Sequence, residues 1–496
     1  MANKKISELT ALTEAASADL LPIVDDSESE TKKITLANLI ASMLEAEKMA
    51  PYQNILTNSG FGVWSNSTLE NYGAAIADDD CADDDTADWT KAGTAALSFD
   101  TDHYEFSTSG GEGRTSLGNL SFKAGHLYLI QCDIKDGTQA GATLQLKAYD
   151  GASHYTEVTT TAGWVTESCL FEAGSTTATG WAGIYETDDL SGNNIEIKNF
   201  TCYEVTPGCI AANALGPDGW SHHTSGVDLW REPNGDNTKS GSYFAMKITP
   251  ALQDDYVYFP NATIATFPFW YKRFQGKTLT FGAWVKSSTA NDARIAIYTS
   301  EDGYTYSSYH SGGGSYEWLE VTATVNAAAS SLYAMIRFSN ASPGTAYMSQ
   351  PILVFGSSIG EGNYSSTPGE WVYTEAPIIP ADWTLTTSGI STGAAIINLE
   401  VQSKGMIPKG ALAVLLLATA RDSNSAGGGN CYIHFGRSSS NYYALRVDID
   451  EIDDDLKISN SGIVPCDSNG DIYYSATATG SGTMDVSLNI VGVQLR

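Results

Sequence analysis

Two stretches 151 residues apart (276 − 125 = 151) decide the fold: "GHLYLIQCDIKD" (125–136) and "GKTLTFGAWVKS" (276–287). They align without gaps, and every second residue in each is apolar. These residues are Tyr128, Ile130, Cys132 and Ile134 in the first stretch, and Leu279, Phe281, Ala283 and Val285 in the second. Apolar residues at a period of two are typical of a strand with one buried face. The repetition therefore predicts two tandem β domains of one type.

A second pair of stretches extends the repeat. "GWVTESCLFEA" (163–173) matches "EWLEVTATVNA" (317–327), with Trp164 opposite Trp318 at an offset of 154 (318 − 164 = 154). A loop insertion of three residues accounts for the change in offset. Short alternating strands separated by Gly, Asn, Asp and Ser indicate β-sandwiches. We expect a jelly-roll β-sandwich at 52–206 and a second one at 207–372.

The C-terminal part forms a third predicted unit. "TEAPIIPADW" (374–383) contains two prolines and no periodic pattern, so a linker is expected at 373–383. A C-terminal β-sandwich is expected at 384–496. Its predicted strands are 394–402, 411–418, 431–435, 442–449 and 484–495.

The first 50 residues differ from the rest of the chain. Apolar residues at helical spacing follow Thr35, which is a candidate N-cap; they are Leu36, Leu39, Ile40, Met43 and Leu44. The expected fold class is thus all-β, with a short N-terminal arm (1–50) that carries one amphipathic helix. Because so short a helix is marginal alone, its apolar stripe needs a partner, and a homotrimer is expected.

Composition excludes several classes of function. The chain has 496 residues and a formal net charge of −31, which argues against nucleic-acid binding. No apolar run is long enough to span a membrane, so no membrane insertion is expected. The seven cysteines are scattered without a CxxC pair, which favours reduced structural thiols. Residues 1–25 lack the features of a secretory signal, so synthesis in a cytoplasm is expected.

An acidic loop is the candidate metal site. "DDDCADDD" (78–85) offers Asp78, Asp80, Asp83 and Asp85 as oxygen ligands for Ca²⁺, although the EF-hand spacing is absent. The alternative is a solvated acidic loop without a metal. No other cofactor is expected.

Catalytic motifs are missing from the sequence. The seven histidines form no HExxH pattern, and no GxSxG segment occurs. A carboxylate pair for glycoside hydrolysis stays open, because any two of the 58 acidic residues could meet in space. We expect a protein that is not an enzyme.

Tyrosines are the candidate ligand contacts. Tyr304, Tyr306 and Tyr309 lie around a glycine-rich segment, and sugar rings stack on exposed aromatic side chains because their C–H faces are apolar. The alternative is that some of these tyrosines point into the core, because alternate residues of a strand face opposite sides of the sheet. In the C-terminal unit, Tyr432 and the adjacent pair Tyr442 and Tyr443 lie among Ser and Asn, a composition typical of adaptable binding loops.

The N-terminal arm contains three short sequence blocks in a fixed order. Their residues are Lys5, Ile6, Ser7, Glu8 and Leu9; Asp19, Leu21, Pro22, Ile23 and Asp25; and Thr31, Lys33, Ile34, Thr35 and Leu39. In these blocks and their order the arm resembles the virion-attachment module of tailed-bacteriophage fibre proteins. The resemblance implies that Ile6, Leu9, Leu21, Pro22, Ile34 and Leu39 form the virion anchor.

The β units carry further resemblances. The strand order of the repeat resembles carbohydrate-binding-module jelly rolls, and 407–423 with 463–495 resembles distal β domains of phage fibres. Together these imply a virion surface appendage, on tail or capsid, that is made in the bacterial host cytoplasm. Its expected partners are other virion proteins (tail, baseplate or capsid) and a host-surface glycan or protein. The alternatives are a non-viral polysaccharide-binding protein and, third, a glycan-degrading enzyme.

Overall fold

The computed structural model confirms the all-β fold class. It describes residues 20–25, 30–35, 53–187, 189–210, 215–223, 226–233, 235, 237–261, 269–366, 369–380, 382–386, 395–422, 431–441, 443–449, 457–478 and 483–495. Within these ranges, 31 strands form three β-sandwiches and a short N-terminal hairpin. The helical segments there are a single 3₁₀ turn and one short α-helix.

The first sandwich packs two sheets around an apolar core. One layer has the order β10-β7-β12, with β3 and β4 also on β12, and the other has the order β5-β6-β11-β8-β9. The start of β12 also pairs with β6, so the two layers are continuous there. The strands are β3 (Thr68–Asn71), β4 (Ala77–Asp79), β5 (Thr90–Asp100), β6 (His103–Phe122), β7 (Leu127–Asp136), β8 (Thr143–Tyr149), β9 (Ser153–Thr159), β10 (Val165–Glu172), β11 (Thr177–Glu186) and β12 (Asn194–Cys209).

The second sandwich follows the same plan. One sheet has the order β20-β17-β22-β15-β14, and the other has the order β13-β16-β21-β18-β19. The elements are β13 (Ser221–His222), β14 (Asp228–Glu232), β15 (Ala245–Thr249), β16 (Tyr256–Phe259), the 3₁₀ turn (Trp270–Arg273), β17 (Thr278–Ser287), β18 (Ala293–Thr299), β19 (Gly303–Tyr306), β20 (Tyr316–Thr324), β21 (Leu332–Phe338) and β22 (Ala346–Phe355).

The predicted repeat is present in two pairs of strands. The two stretches that decide the fold become β7 and β17, and their alternate apolar residues are all buried. The second pair of stretches becomes β10 and β20, but the predicted equivalence of Trp164 and Trp318 is wrong. Val165 pairs with Ile134 while Glu317 pairs with Val285, so the paired offset on these strands is 152 (317 − 165 = 152).

The two sandwiches are joined through one continuous sheet. The end of β12 pairs with β14, with Gly208 opposite Trp230 and Cys209 opposite Leu229. The boundary predicted at 206/207 therefore lies inside a strand that belongs to both sandwiches. The start predicted at residue 52 also needs correction, because Leu56 and Phe61 lie in the core of the second sandwich.

The third sandwich also has two sheets, β23-β31-β26-β29 with β24 on β31, and β25-β30-β27-β28. Its elements are β23 (Trp371–Ile378), β24 (Asp382–Thr386), β25 (Ala395–Ile397), α1 (Leu399–Gln402), β26 (Ala413–Asp422), β27 (Cys431–Gly436), β28 (Leu445–Ile449), β29 (Lys457–Pro465), β30 (Ile472–Ala478) and β31 (Thr483–Gln494).

Two predictions for this region are wrong. The expected linker at 373–383 is instead made largely of β23 and β24, which pair with the last strand β31. The expected strand at 394–402 ends after three residues, because Asn398 accepts a hydrogen bond from the Val401 amide and caps α1.

Polar contacts, some of them buried, hold the third sandwich against the other two. Arg231 of the second sandwich pairs with Glu400 of α1 at 3.2 Å, and both side chains are buried. Lys409 pairs with Glu172 of the first sandwich. Asp218 accepts hydrogen bonds from the Ser65 hydroxyl at 2.6 Å and from the Glu375 amide at 2.7 Å. The three units therefore meet at a common junction, which the chain order alone does not predict.

In the N-terminal arm the backbone of one hairpin is described. Its strands β1 (Leu20–Asp25) and β2 (Glu30–Thr35) are antiparallel, with Leu21 opposite Ile34. The predicted helix at 36–44 lies outside the described residues. Among the described residues, six cysteines are buried and free of disulfides. No described helix is long and apolar enough to cross a membrane.

Candidate functional site

A layer of tyrosines covers the outer face of one sheet of the second sandwich. We call this surface the tyrosine face; its members are Tyr256, Tyr258, Tyr298, Tyr304, Tyr306 and Tyr333. Tyr304 is 37% exposed, and the other five are partly buried. Ala296 and Met335 occupy outward positions on the same strands, yet they are only 0% and 1% exposed. A continuous layer of rings thus lies over the sheet.

Strand alternation and register position these rings. On β18 the residues before and after Tyr298 are buried, so Tyr298 itself points outward. Cross-strand pairing places Tyr333 of β21 on one side of Tyr298 and Tyr304 of β19 on the other. Tyr258 of β16 lies opposite Met335, one outward position along β21 from Tyr333. Four strands therefore contribute tyrosines to one surface.

The rings pack at aromatic contact distances. The Tyr304 and Tyr306 ring centroids are 5.6 Å apart with planes at 10°, and those of Tyr298 and Tyr333 are 5.9 Å apart at 22°. Tyr258 meets Tyr333 edge to face at 5.1 Å. Such pairs stabilise each other by about 0.5–1.5 kcal/mol beyond area burial, which fixes the ring orientations.

Two arginine side chains pack against rings of this layer. The Arg294 guanidinium lies 3.4 Å from the Tyr306 ring centroid and 4.5 Å from that of Tyr309. Arg337 lies 4.4 Å from the Tyr304 ring and pairs with Asp254 at 2.8 Å. Cation–π contacts of this kind hold the rings at the edge strand β19.

The phenol groups of Tyr256 and Tyr333 are neutral at neutral pH. Burial raises the pKa of Tyr256 to about 12, with Tyr304 and Tyr258 adding to the shift. Burial likewise raises the pKa of Tyr333, together with Tyr258 and Tyr298. A neutral phenol both donates and accepts hydrogen bonds. The surface therefore offers apolar ring faces beside polar hydroxyl groups.

The sequence prediction found part of this surface. Tyr304, Tyr306 and Tyr309 are brought together near Arg294, as the local clustering suggested. The tyrosines of β16, β18 and β21 were missed. A sequence signal for them does exist. In "YVYF", "ARIAIYT" and "LYAMIRF", tyrosine or arginine recurs at alternate positions, between residues that are apolar or small.

The C-terminal candidates lie on a separate surface. Tyr432 stacks on His434 at 4.9 Å, and Tyr443, which is 65% exposed, meets His434 edge to face at 4.9 Å. Tyr442 lies outside the described residues. Two of the three predicted contacts thus converge on one histidine of β27.

The acidic loop forms local hydrogen bonds. The Asp80 carboxylate accepts from the Ala82 amide, while Asp79 accepts from the Trp89 indole at 2.6 Å and from the Tyr104 hydroxyl. Asp78, Asp83 and Asp85 complete the loop without joining a ligand cluster. Within the described parts of the chain, no group of three or more His, Cys, Asp or Glu residues is placed to hold a metal ion. The calcium site stays a prediction.

The anchor residues fall mostly outside the described ranges. Ile6, Leu9 and Leu39 lie outside them, and the hairpin describes only the backbone of Leu21, Pro22 and Ile34. Their role stays a prediction.

Comparison with known proteins does not identify a family. No protein-family model matches the chain, and no curated protein is significantly similar to it. A solved tandem of two CBM22 domains from Paenibacillus barcinonensis is 11% identical over 58% of this chain and 99% of that chain, with a TM-score of 0.27. A triple jelly-roll protein from an archaeal virus is 9% identical over 82% of this chain and 90% of that chain, with a TM-score of 0.16. Identities and TM-scores this low do not indicate a function, so the function has to be inferred from the side chains of the protein itself.

Proposed function

We propose that the protein binds glycan without catalysis, and that the tyrosine face of the second sandwich is the binding surface. The observation that carries this proposal is the layer of six tyrosines on one outer sheet face. A sugar ring has apolar C–H faces and polar edges, so it matches a surface of ring faces and phenol hydroxyls.

Mutation of two tyrosines of this surface, one on the edge strand β19 and one on β18, tests the proposal. Tyr304→Ala and Tyr298→Ala should each weaken binding of a neutral oligosaccharide on a glycan array and in calorimetry by about tenfold, since losing one stacking contact costs about 1 kcal/mol or more. Tyr373→Ala is the matched control, because Tyr373 is a 58% exposed tyrosine of the third sandwich. Equal binding by all four proteins, wild type included, would contradict the proposal.

We further propose that this binding protein is a virion appendage, attached through residues 1–50 as a homotrimer and displayed on the particle surface. The support is the order of three N-terminal sequence blocks and the hairpin that joins Leu21 to Ile34 in register. Removing 1–50 should leave a soluble β protein that is absent from assembled particles. Incorporation of the shortened chain, or light scattering that returns a monomer for the full chain, would count against this proposal.

A second candidate for host contact is the surface around His434. It is supported by the exposure of Tyr443 and by its convergence with Tyr432. Tyr443→Ala should reduce adsorption to host cells while leaving the melting temperature within about a degree, because exposed side chains contribute little to stability. If Tyr304→Ala abolishes adsorption and Tyr443→Ala does not alter it, the tyrosine face alone is the receptor-binding surface.

A further inference from the structure

The first sandwich carries an aromatic and basic cleft on the equivalent sheet face. Strands β6, β11, β8 and β9 correspond in order to β16, β21, β18 and β19, which carry the tyrosine face. Side chains on the outer face of the first-sandwich strands line an open cleft of about 420 Å³. We call it the basic cleft; the side chains that define it are Arg114, Lys147, Tyr149, Trp181 and Tyr185.

Aromatic rings form the floor of the basic cleft. Tyr149 and Trp181 pair directly across β8 and β11, and their ring centroids are 5.7 Å apart with planes at 14°. Tyr149 is 39% exposed, so part of this stacked pair faces solvent. A pair of parallel rings at an open cleft is a platform on which a sugar ring can stack.

Two cations lie over aromatic rings of the cleft. The Arg114 guanidinium is 4.0 Å from the Trp181 ring centroid, and its Nε is buried without a hydrogen-bond partner. The Lys147 ammonium is 4.2 Å from the Tyr185 ring and 3.4 Å from the Gln145 amide oxygen. Among the described residues, neither cation forms a salt bridge with a carboxylate.

One acid lines the cleft beside these two cations. Glu112 is the single carboxylate among the residues that line the cleft, and it accepts a hydrogen bond from the Tyr185 hydroxyl. Glu157 lies beyond the lining, on the edge strand opposite Gln145. Two cations and one carboxylate leave the cleft positive on a chain whose formal charge is −31. Burial lowers the pKa of Arg114 and of Lys147, as expected for cations that have lost water without gaining a carboxylate partner.

We propose that the basic cleft binds an acidic saccharide, whose ring stacks on Tyr149 and Trp181 and whose anionic group pairs with Arg114 and Lys147. A guanidinium suits a planar or tetrahedral anion, because its terminal N–H groups donate in a fixed fork. On the tyrosine face, by contrast, Arg337 already has Asp254 as a partner.

Binding by the full chain to acidic sugars and their neutral counterparts tests this proposal. The probes are trigalacturonate with its methyl ester, sialyllactose with lactose, and galactose 6-phosphate with galactose. We expect at least one acidic member to bind about tenfold or more tightly than its neutral counterpart, since a hydrogen bond to a charged group is worth about 1.5–3 kcal/mol. The carboxylate and phosphate arms separate the two sources of the anion. No preference for any acidic member would overturn the proposal.

Variants connect the preference to the cleft. Arg114→Gln and Lys147→Gln should each reduce the preference about tenfold, and Lys123→Gln, an exposed lysine outside the cleft, should leave it unchanged. Lys147 is partly exposed, so its variant stays informative if Arg114→Gln misfolds. Tyr304→Ala should not alter acidic-sugar binding, which separates this site from the tyrosine face. If Lys147→Gln keeps the full preference in a folded protein, the cleft is not the site.

Discussion

Asn199 and Gln350 lie 151 residues apart (350 − 199 = 151) and adopt the same left-handed backbone conformation, with φ of 50° and 51°. Each lies at a β-bulge, where one strand has an extra residue relative to its neighbour. Asn199 lies at the bulge of β12 against β7, and Gln350 at the bulge of β22 against β17. The bulge bends the strand at one place in both sandwiches. The repeat therefore conserves a strained backbone feature that no residue identity marks, because one copy uses Asn and the other Gln.

Glycine at this bulge should stabilise the second sandwich relative to alanine. A left-handed conformation costs a non-glycine residue roughly 1–2 kcal/mol, which glycine avoids. Gln350→Ala and Gln350→Gly both lose the hydrogen bond from the Gln350 amide to Ser240 O, so their comparison isolates the backbone term. We expect Gly to exceed Ala by about 1 kcal/mol in urea denaturation. At Thr324, an ordinary strand position, the order should reverse; a Gly variant no more stable than Ala at 350 would contradict the assignment of strain.

The protein should lose stability as pH rises through neutrality, partly because of Glu370. Burial raises the pKa of this carboxyl to about 7. The backbone N–H of Asn58 donates a hydrogen bond to it at 2.7 Å, which lowers the pKa and offsets part of the rise. A raised carboxyl pKa means that the folded state binds the proton more tightly than the unfolded state does. The free energy of unfolding is therefore highest at low pH, and this part of it is lost as the pH rises from about 4.5 to about 7. Glu370→Gln keeps the acceptor oxygen without the charge. We expect a higher melting temperature than wild type at about pH 8 and a smaller pH dependence.

The matched control for this prediction is Glu361→Gln, since Glu361 is an exposed carboxylate of the loop before β23. It should leave the pH dependence unchanged. A Glu370→Gln protein with the same pH profile as wild type would show that Glu370 is ionised normally in the folded state.

The Arg231–Glu400 pair should be costly to break from one side. Arg231 is 2% exposed and also donates to the carbonyl oxygens of Gly62 and Gly405. Arg231→Met leaves the Glu400 carboxyl group buried without its partner, and we expect a loss of about 3–5 kcal/mol. The double variant with Glu400→Met should recover much of it. Arg446→Met is the control, because its partner Asp448 is exposed and such a pair contributes less than about 1 kcal/mol. Equal effects of Arg231→Met and Arg446→Met would contradict a buried junction.

Local patterns predicted the strands, while contacts between distant parts of the chain decided the rest. The period-two pattern placed β7 and β17 within two residues of their observed bounds. The linker prediction failed at Pro377, which lies in β23 where the register against β31 is interrupted; such an irregular position tolerates proline. The tyrosine face was predicted only where its members are close in sequence. Tyr258 and Tyr333 reach it through sheet pairing, which one sequence does not reveal.

The third sandwich should fold as 369–496 and fail as 384–496, the boundary that the sequence pattern suggested. β23 pairs with β31 and buries Val372 and Ile378, which are 3% and 1% exposed, in the core of this sandwich. Burying two such side chains contributes about 3–6 kcal/mol, which is a large share of the roughly 5–15 kcal/mol that stabilises a domain. The shorter fragment also leaves part of β31 as an open edge, which promotes aggregation. We expect the longer fragment to be soluble with a cooperative thermal transition, and the shorter one to be aggregated or to melt at least ten degrees lower, a shift of the size that a loss of a few kcal/mol produces in a domain of roughly 100 residues. Equal solubility and melting temperature of the two fragments would mean that β23 is not an integral strand of the third sandwich.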